Sequence, residues 1–474
     1  PGMALAVVTA VEEVRAAFAT TGPFDAPGLD LLTPHGRILL DTSAEATEWP
    51  ADTLADAAIA IDLGGNDAWH GRYAGTHEFW MSAAVVLDLG GDDTYTPETG
   101  DIEDPATRPR DSFGLDYGFT QGCGLFGVGV LYDAAGNDTY KASAYAQGSG
   151  AFGVGILYDV DGIDSYKLGT AGQGSGYFGI GLHVDGGGDD RYGVYTVGQG
   201  VGRPKGHGLL LDLDGDDVYI GYYAGHDPEF PEPGYPNIFG LAPFTGYSAS
   251  DGTPHYMSVA QGVGWGFRHE WVADPEVAWS GGFGALLDFG TGADEHYADC
   301  MTMGQGFVYG FGFLYDGGGD DRYRTFWWGP AASAHMGTNL LIEEDGDDDI
   351  HVTALSGGYG YDCSVGWMID EGGNDTYGWQ FNYGRAYNYG LTFFVNEGGD
   401  DVYNADLAQG DPPFGIVDTG FSDANLIGAF LDLGGGADRY NTPRPGVGND
   451  AVWYLDPVGT GTDPARHIGI GIDR

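Results

Sequence analysis

The chain has 474 residues and a formal net charge of −52, from 70 acidic against 18 basic side chains. That surplus excludes nucleic acid and anionic membrane surfaces as partners, since both would repel it. Glycine, at 87 residues, is far above its usual share, yet there is no Gly-X-Y period, and 14% aromatic residues are too many for a disordered glycine-rich chain.

Residues 3–19 read as one amphipathic helix, with Ala4, Val7, Val8, Val11, Val14 and Phe18 on one face. Residues 1–56 are therefore expected to form an N-terminal helix and cap, covering the exposed edge of the first rung. From Ala57 to the last residue the chain repeats. The segment QGCGLFGVGVLYDAAGNDTY at 121–140 returns 26 residues later as QGSGAFGVGILYDVDGIDSY at 147–166. A fixed period of this size marks a solenoid.

Before each turn, residues one, three and five back from the first Asp are apolar, as in Tyr158, Ile156 and Val154. Residues four and six back are glycine, as in Gly155 and Gly153. Period-two alternation predicts a β-strand. The apolar residues are assigned to the core and the glycine face to the outside, where it would let a partner approach closely. The fold class expected is all-β: a right-handed parallel β-solenoid of about 26-residue rungs. Gln121, Gln147, Gln173, Gln199, Gln261 and Gln305 open their rungs and are expected to bond amide to amide up the stack, and the turn tyrosines to stack.

Each rung carries a turn of the form Asp-x-x-Gly-x-Asp-x-Tyr. Its twelve copies place paired carboxylates at Asp62 and Asp67, Asp88 and Asp93, Asp133 and Asp138, Asp159 and Asp164, Asp185 and Asp190, and Asp212 and Asp217. The later pairs are Asp288 and Asp294, Asp316 and Asp321, Glu343 and Asp348, Asp370 and Asp375, Asn396 and Asp401, and Asp432 and Asp438. These turns hold 37 of the 70 acids. Stacked about 4.8 Å apart, neighbouring carboxylates repel by ~3 kcal/mol at an effective dielectric near 20. The 18 basic residues cannot neutralise such a column, whereas bound cations can. Oxygen donors without a His or Cys cluster favour calcium. Glycine permits the tight turn, and its carbonyls are expected to face inward as further ligands.

AAGNDTY at 134–140 and EGGNDTY at 371–377 resemble the RTX (haemolysin-type) calcium-binding nonapeptide GGxGxDxUx, with Gly136, Asp138 and Tyr140 at its second glycine, its aspartate and its inward apolar position. The resemblance implies several bound Ca2+ ions. An Asp stands for the motif's first glycine, and one turn per 26 residues places the ions along one edge only. The turns are also similar to Gly-Asp-rich bacterial β-solenoid repeats of the DLGGDDTY type, a family that implies no activity.

Three insertions interrupt the period, near 97–113, 224–280 and 405–425. The largest offers His226, Asp227, Glu229, His255, His269, Glu270 and Asp274, with Trp265, Trp271 and Trp279 as possible sugar platforms. The C-terminal HIGIGIDR resembles the strand of one more rung, ending on Asp473. Cys123, Cys300 and Cys363 are too few for a disulfide framework and read as buried thiols. No apolar run approaches ~18 residues, so no membrane span is expected.

The expected function is a calcium-stabilised extracellular or cell-surface scaffold, adhesin or complex subunit. It would meet a protein partner or cell-surface component through the glycine face or the insertion loops. The alternative is a carbohydrate-active enzyme or lectin whose aromatic insertion meets a polysaccharide.

Overall fold

The computed structural model describes residues 9, 13, 16, 28–76, 81–96, 118–221, 257–267, 280–379, 383–404, 417–418, 426–442, 446–455 and 467–474. Their strands stack as a parallel β-solenoid. Sixteen strands form one long sheet, fourteen form a second, and two-to-three-residue strands form a third wall in sets of three and six. In the rung opened by Gln147, Gly150–Ala151 lies on the short wall, Val154–Tyr158 on the long sheet and Ser165–Thr170 on the second. Tyr158 pairs with Tyr132 and Val184, and Tyr166 with Tyr140 and Tyr192. The 26-residue step is thus one circuit of the solenoid, with like residue on like. Left-handed backbone at Gln147 (φ 51) and Phe152 (φ 53) turns the corners on either side of the short wall.

The two faces of the long strands are the reverse of the sequence expectation. Tyr158, Val184, Leu211 and Ile342 stand outward and half-buried, while the residue between the outward pair points in: Leu157, Leu210, Leu286, Leu314, Met368, Phe394 and Phe430 are each 0% exposed. The glycines share that inner face. A Cβ on Gly155 would lie 1.9 Å from Ser149 O, one on Gly181 2.1 Å from Ser175 O, and one on Gly312 2.1 Å from Gln305 O. The long sheet and the short wall touch backbone to backbone, and only glycine fits between them. The glycine face is therefore no contact surface for a partner.

The helical cap is not supported. Of residues 1–27 only Thr9, Glu13 and Ala16 are described, and they are helical. The edge of the stack is instead a hairpin: Leu29–Thr33 runs antiparallel to Gly36–Leu40, which pairs in parallel with Ala57–Ile61. Pro34 and His35 reverse the chain there, with Gly36 at φ 118. The far edge ends likewise, as Val452–Leu455 runs antiparallel to His467–Asp473. One short helix, Ala51–Leu54, closes the first circuit.

The tyrosines stack as expected. Tyr95, Tyr140, Tyr166, Tyr192 and Tyr219 are buried with centroids 4.6–5.0 Å apart. His296 continues the column 4.8 Å from Tyr219 and 4.7 Å from Tyr323. The glutamines do not bond amide to amide. Gln173 Nε2 donates to Tyr166 O and Gly193 O, and Gln199 Nε2 to Tyr192 O and Ile220 O, so each tethers its corner to two rungs of the second sheet. Carbonyls at both rungs compete for the amide N–H groups and win over a neighbouring amide. Gln305 differs, donating to Met301 Sδ.

Residues 97–113 lie outside the described residues. So do His226, Asp227, Glu229, His255, His269, Glu270, Asp274, Trp271 and Trp279 of the largest insertion. Within that insertion Met257–Ala260 and Gly264–Trp265 are ordinary rung strands. Trp265 is no sugar platform: it is 0% exposed and stacked 4.5 Å from Phe307. Within 405–425 only Val417–Asp418 is described, as a short-wall strand. All three cysteines are free, but Cys363 is exposed because it occupies an outer corner at φ 61.

Candidate metal centre

The turns link the long sheet to the second sheet, so parallel stacking carries their carboxylates into two columns along one edge. The first-position residues are all buried. Asp133, Asp159, Asp185, Asp212, Asp288, Asp316, Glu343, Asp370 and Asn396 are each 0% exposed, and Asp62, Asp88 and Asp432 at most 2%. The second-position residues Asp67, Asp93, Asp138, Asp164, Asp190, Asp217, Asp294, Asp321, Asp348, Asp375 and Asp401 are buried as well. Asp438, in the last turn, is half-buried.

Each column is wired differently. At the first position, the tyrosine of the preceding rung donates to Oδ2: Tyr140 to Asp159 (2.5 Å), Tyr166 to Asp185 (2.6 Å), Tyr219 to Asp288 (2.6 Å). In turns such as that of Asp185, Oδ1 accepts the backbone N–H two residues on, from Gly187 at 3.1 Å, an Asx turn. At the second position, the N–H of each aspartate donates to Oδ1 of its counterpart one rung further: Asp138 to Asp164, Asp164 to Asp190, Asp190 to Asp217 and Asp217 to Asp294, each 2.6 Å. That ladder crosses the largest insertion without a break.

Of the remaining second-position oxygens, Oδ2 of Asp164, Asp375 and Asp401 accepts from a nearby side chain, and most of the others have no partner. Oδ2 of Asp67, Asp93, Asp138, Asp190, Asp217, Asp294, Asp321 and Asp348 is buried without a hydrogen-bond partner, as are Oδ1 of Asp159, Asp316 and Asp370 and Oε1 of Glu343. Carboxylates of adjacent turns meet around these atoms. Asp133, Asp138 and Asp159 each offer an oxygen within 4.8 Å of the others, as do Asp62, Asp67 and Asp88; Asp88, Asp93 and Asp133; Asp164, Asp185 and Asp190; and Asp190, Asp212 and Asp217. Desolvation raises the carboxyls, and the neighbouring carboxylates raise them further: Asp138 to about 8, Asp190 to about 10, Asp321 to about 10, with Asp133, Asp159 and Asp212 well above the usual range. Burying a lone ionised carboxylate costs several kcal/mol, and a whole domain is stable by only ~5–15. A column so placed either takes up protons or is matched by a positive partner.

No family model, curated protein or solved structure matches the chain. The donor set itself suits a hard cation: several carboxylate oxygens, buried, partnerless and convergent, with no thiolate. The turn glycines do not add ligands in the expected way. A Cβ on Gly136 would lie 1.5 Å from Gly91 O and one on Gly319 1.5 Å from Gly292 O, so each carbonyl is aimed along the stack at the next glycine. Asn396 is the exception among the turns. Its Oδ1 accepts from Gly398 N and its Nδ2 donates to Asp401 Oδ2 at 2.9 Å, so a neutral donor stands where other turns face one carboxylate with another.

Two elements escaped the sequence reading. An exposed ladder runs beside the buried one, in which the residue before the second Asp bonds its counterpart: Asn137 N to Asp92 Oδ1 and Asn374 N to Asp347 Oδ1. The frequent Asn or Asp at that position was the available signal. Asp41 heads a further turn, accepting from Ser43 N and Thr47 Oγ1. Its segment, DTSAEATEW, has no glycine to reveal it. Asp473 takes the first position of the last rung, where Tyr440 donates to it at 2.6 Å.

Proposed function

We propose that the protein is a non-enzymatic scaffold of the extracellular space or cell surface, acting as a structural element, adhesin or complex subunit, whose acidic edge holds a file of calcium ions. The observation that carries this reading is the row of buried second-position oxygens without a partner. A cation between adjacent turns would satisfy them, cancel the repulsion within each column and tie each rung to the next. Calcium sites of extracellular modules fill at ~10⁻⁴–10⁻³ M, and a solenoid that needs many ions at once suits such a setting.

One observation favours a second reading. The Asn396–Asp401 contact is the geometry that a protonated Asp facing an ionised one would adopt. On that reading the turns share protons and hold no metal. The two readings part in one experiment: thermal unfolding after exhaustive chelation, then with millimolar calcium, with magnesium, and with molar sodium chloride. The calcium reading expects a large calcium-selective rise in midpoint, because a ligand held only by the folded state stabilises it. An unchanged midpoint, with no metal found by elemental analysis, would overturn it.

A further inference from the structure

The outward face of the long sheet has a composition foreign to the rest of the chain. Besides a row five places before the turn carboxylate that includes His207 and Thr338, each of the sixteen strands points two residues out, one and three places before that carboxylate, or their register partners on the two terminal antiparallel strands. All thirty-two are Leu, Ile, Val, Ala, Phe, Trp or Tyr. At 19% charged residues, thirty-two positions drawn from this composition would hold about six charges; these hold none. The face is covered around Ala83–Leu87 and Val128–Tyr132, with Leu87 and Val130 2% exposed and Tyr132 3%, whereas Leu29 and Leu31 on the first strand are 44% and 48% exposed. From Leu182 onward the face is more open: Leu182, Leu211, Ile342 and Trp367 are half-buried and Val452 and Tyr454 are 46% and 77% exposed, although Ala285, Val395 and Ala429 within it are buried. The described elements that touch these strands are chiefly their sheet neighbours and the short wall across the interior, with the helix Ala51–Leu54 against Ala57–Ile61.

A parallel sheet is normally covered on both faces, and monomers rarely expose contiguous apolar patches above a few hundred Å². We infer that this open face, from Leu182 to Tyr454, is a self-association surface that seats a second copy of the chain face to face. Three arguments select a second copy. The first is area. Ten strands at ~4.8 Å by five residues at ~3.3 Å give ~800 Å² per copy, or ~1,600 Å² for a pair, within the range of stable interfaces. The second is shape. In-register stacking repeats the same profile rung after rung, so the face complements itself about a two-fold axis, and two such sheets pack at ~10 Å. A two-fold parallel to the rod also sets the acidic edges of the two copies on opposite sides. The third is ring geometry. Trp367 and Phe393 stack at 4.0 Å and 18°, turning their faces to each other and their edges outward. Such rings suit a flat apolar partner and offer no open platform to a sugar.

The test is sedimentation equilibrium of the full chain at micromolar concentrations, in calcium and after chelation, at low and high salt. The expected mass is twice 50.0 kDa, with tighter association at high salt, which screens the −52 charge of each copy. Ile342→Glu and Trp367→Glu should each weaken association by about 10-fold or more with the thermal midpoint of the monomer unchanged. Ile342→Thr, which suits a strand, serves if the charged variants fail to fold. A wild-type chain that stays monomeric overturns the inference, whether it is bare in solution or captured by phosphatidylcholine vesicles. So does an Ile342→Glu variant that remains dimeric, or one that lowers the midpoint of an always monomeric chain, since the face would then be covered from within. Dimerisation in chelator would separate this inference from the calcium reading.

Discussion

Asp370→Asn should change stability with opposite sign in two buffers. Asp370 is fully buried, its Oδ1 has no hydrogen-bond partner, and desolvation raises its carboxyl from 3.8 to about 7. Because the folded-state value is raised, the contribution of this group to stability is complete below about pH 4 and is lost as pH rises through about 7. The shift corresponds to ~4 kcal/mol at high pH. Asparagine keeps the shape without the charge, and its neighbour in the stack, Asn396, already shows a working geometry. In chelator at pH 8.5 the variant should therefore be more stable than the parent, by up to ~4 kcal/mol, about 4 °C in midpoint for a chain of this length if it unfolds cooperatively. At pH 4, where Asp370 is protonated, the gain should vanish. In millimolar calcium the sign should invert, because a ligand oxygen has been exchanged for an amide. Thermal unfolding followed by circular dichroism in the three buffers reads all of this. A variant that is destabilised equally in all three would refute the reasoning, since the carboxylate would then act only through shape and hydrogen bonding.

Calcium binding at pH 7 should release protons, because groups such as Asp138 (about 8) and Asp164 (about 9) must ionise to coordinate; titration calorimetry in buffers of different ionisation enthalpy would show an apparent heat that varies with the buffer, and a buffer-independent heat would contradict it. Gly155→Val should cost more than ~3 kcal/mol or abolish folding, as its side chain would enter the space of Ser149 O, while Ile342→Thr on the half-buried outward face should cost about 1 kcal/mol; equal midpoints would place the glycines outside. Tyr192→Phe should lose about 1.5–3 kcal/mol, the worth of its hydrogen bond to Asp212 Oδ2, with the ring stack intact, and an unchanged midpoint would mean that Asp212 finds another donor.

The period made the fold legible. Stacking like on like follows from a constant step, and the pairing of Tyr140 with Tyr166 and Gly155 with Gly181 is the register that 26 residues impose. The buried carboxylate columns follow from the same step, since any residue at a fixed phase becomes a column. The Asp41 turn was hidden because its sequence had lost the glycine and the second aspartate that mark the others. The glutamines were misassigned because a like-on-like column suggests side chains bonded to each other, whereas each Nε2 finds carbonyls of the second sheet first.

Which face of the long strands turns inward was not legible from alternation alone, and the reason explains the molecule. Assigning the larger apolar residues to the core assumes that there is room for them. Here the long sheet and the short wall meet at backbone distance, so the interior near Gly155 admits no side chain, and it widens only near the turn, where Leu157 and the tyrosine column fit. The sequence did hold a sign of this. The three residues before the turn, as in Ile156, Leu157 and Tyr158, are all apolar, so both faces of the strand end are apolar. A narrow interior lined by glycine and a wide exterior lined by Val, Leu, Trp and Phe are two results of the same alternation. The inward glycines let the walls close, and the outward residues leave an apolar sheet in a chain of net charge −52. With its carboxylates gathered along the turn edge, the solenoid has one edge of buried acidic columns and one outward apolar face.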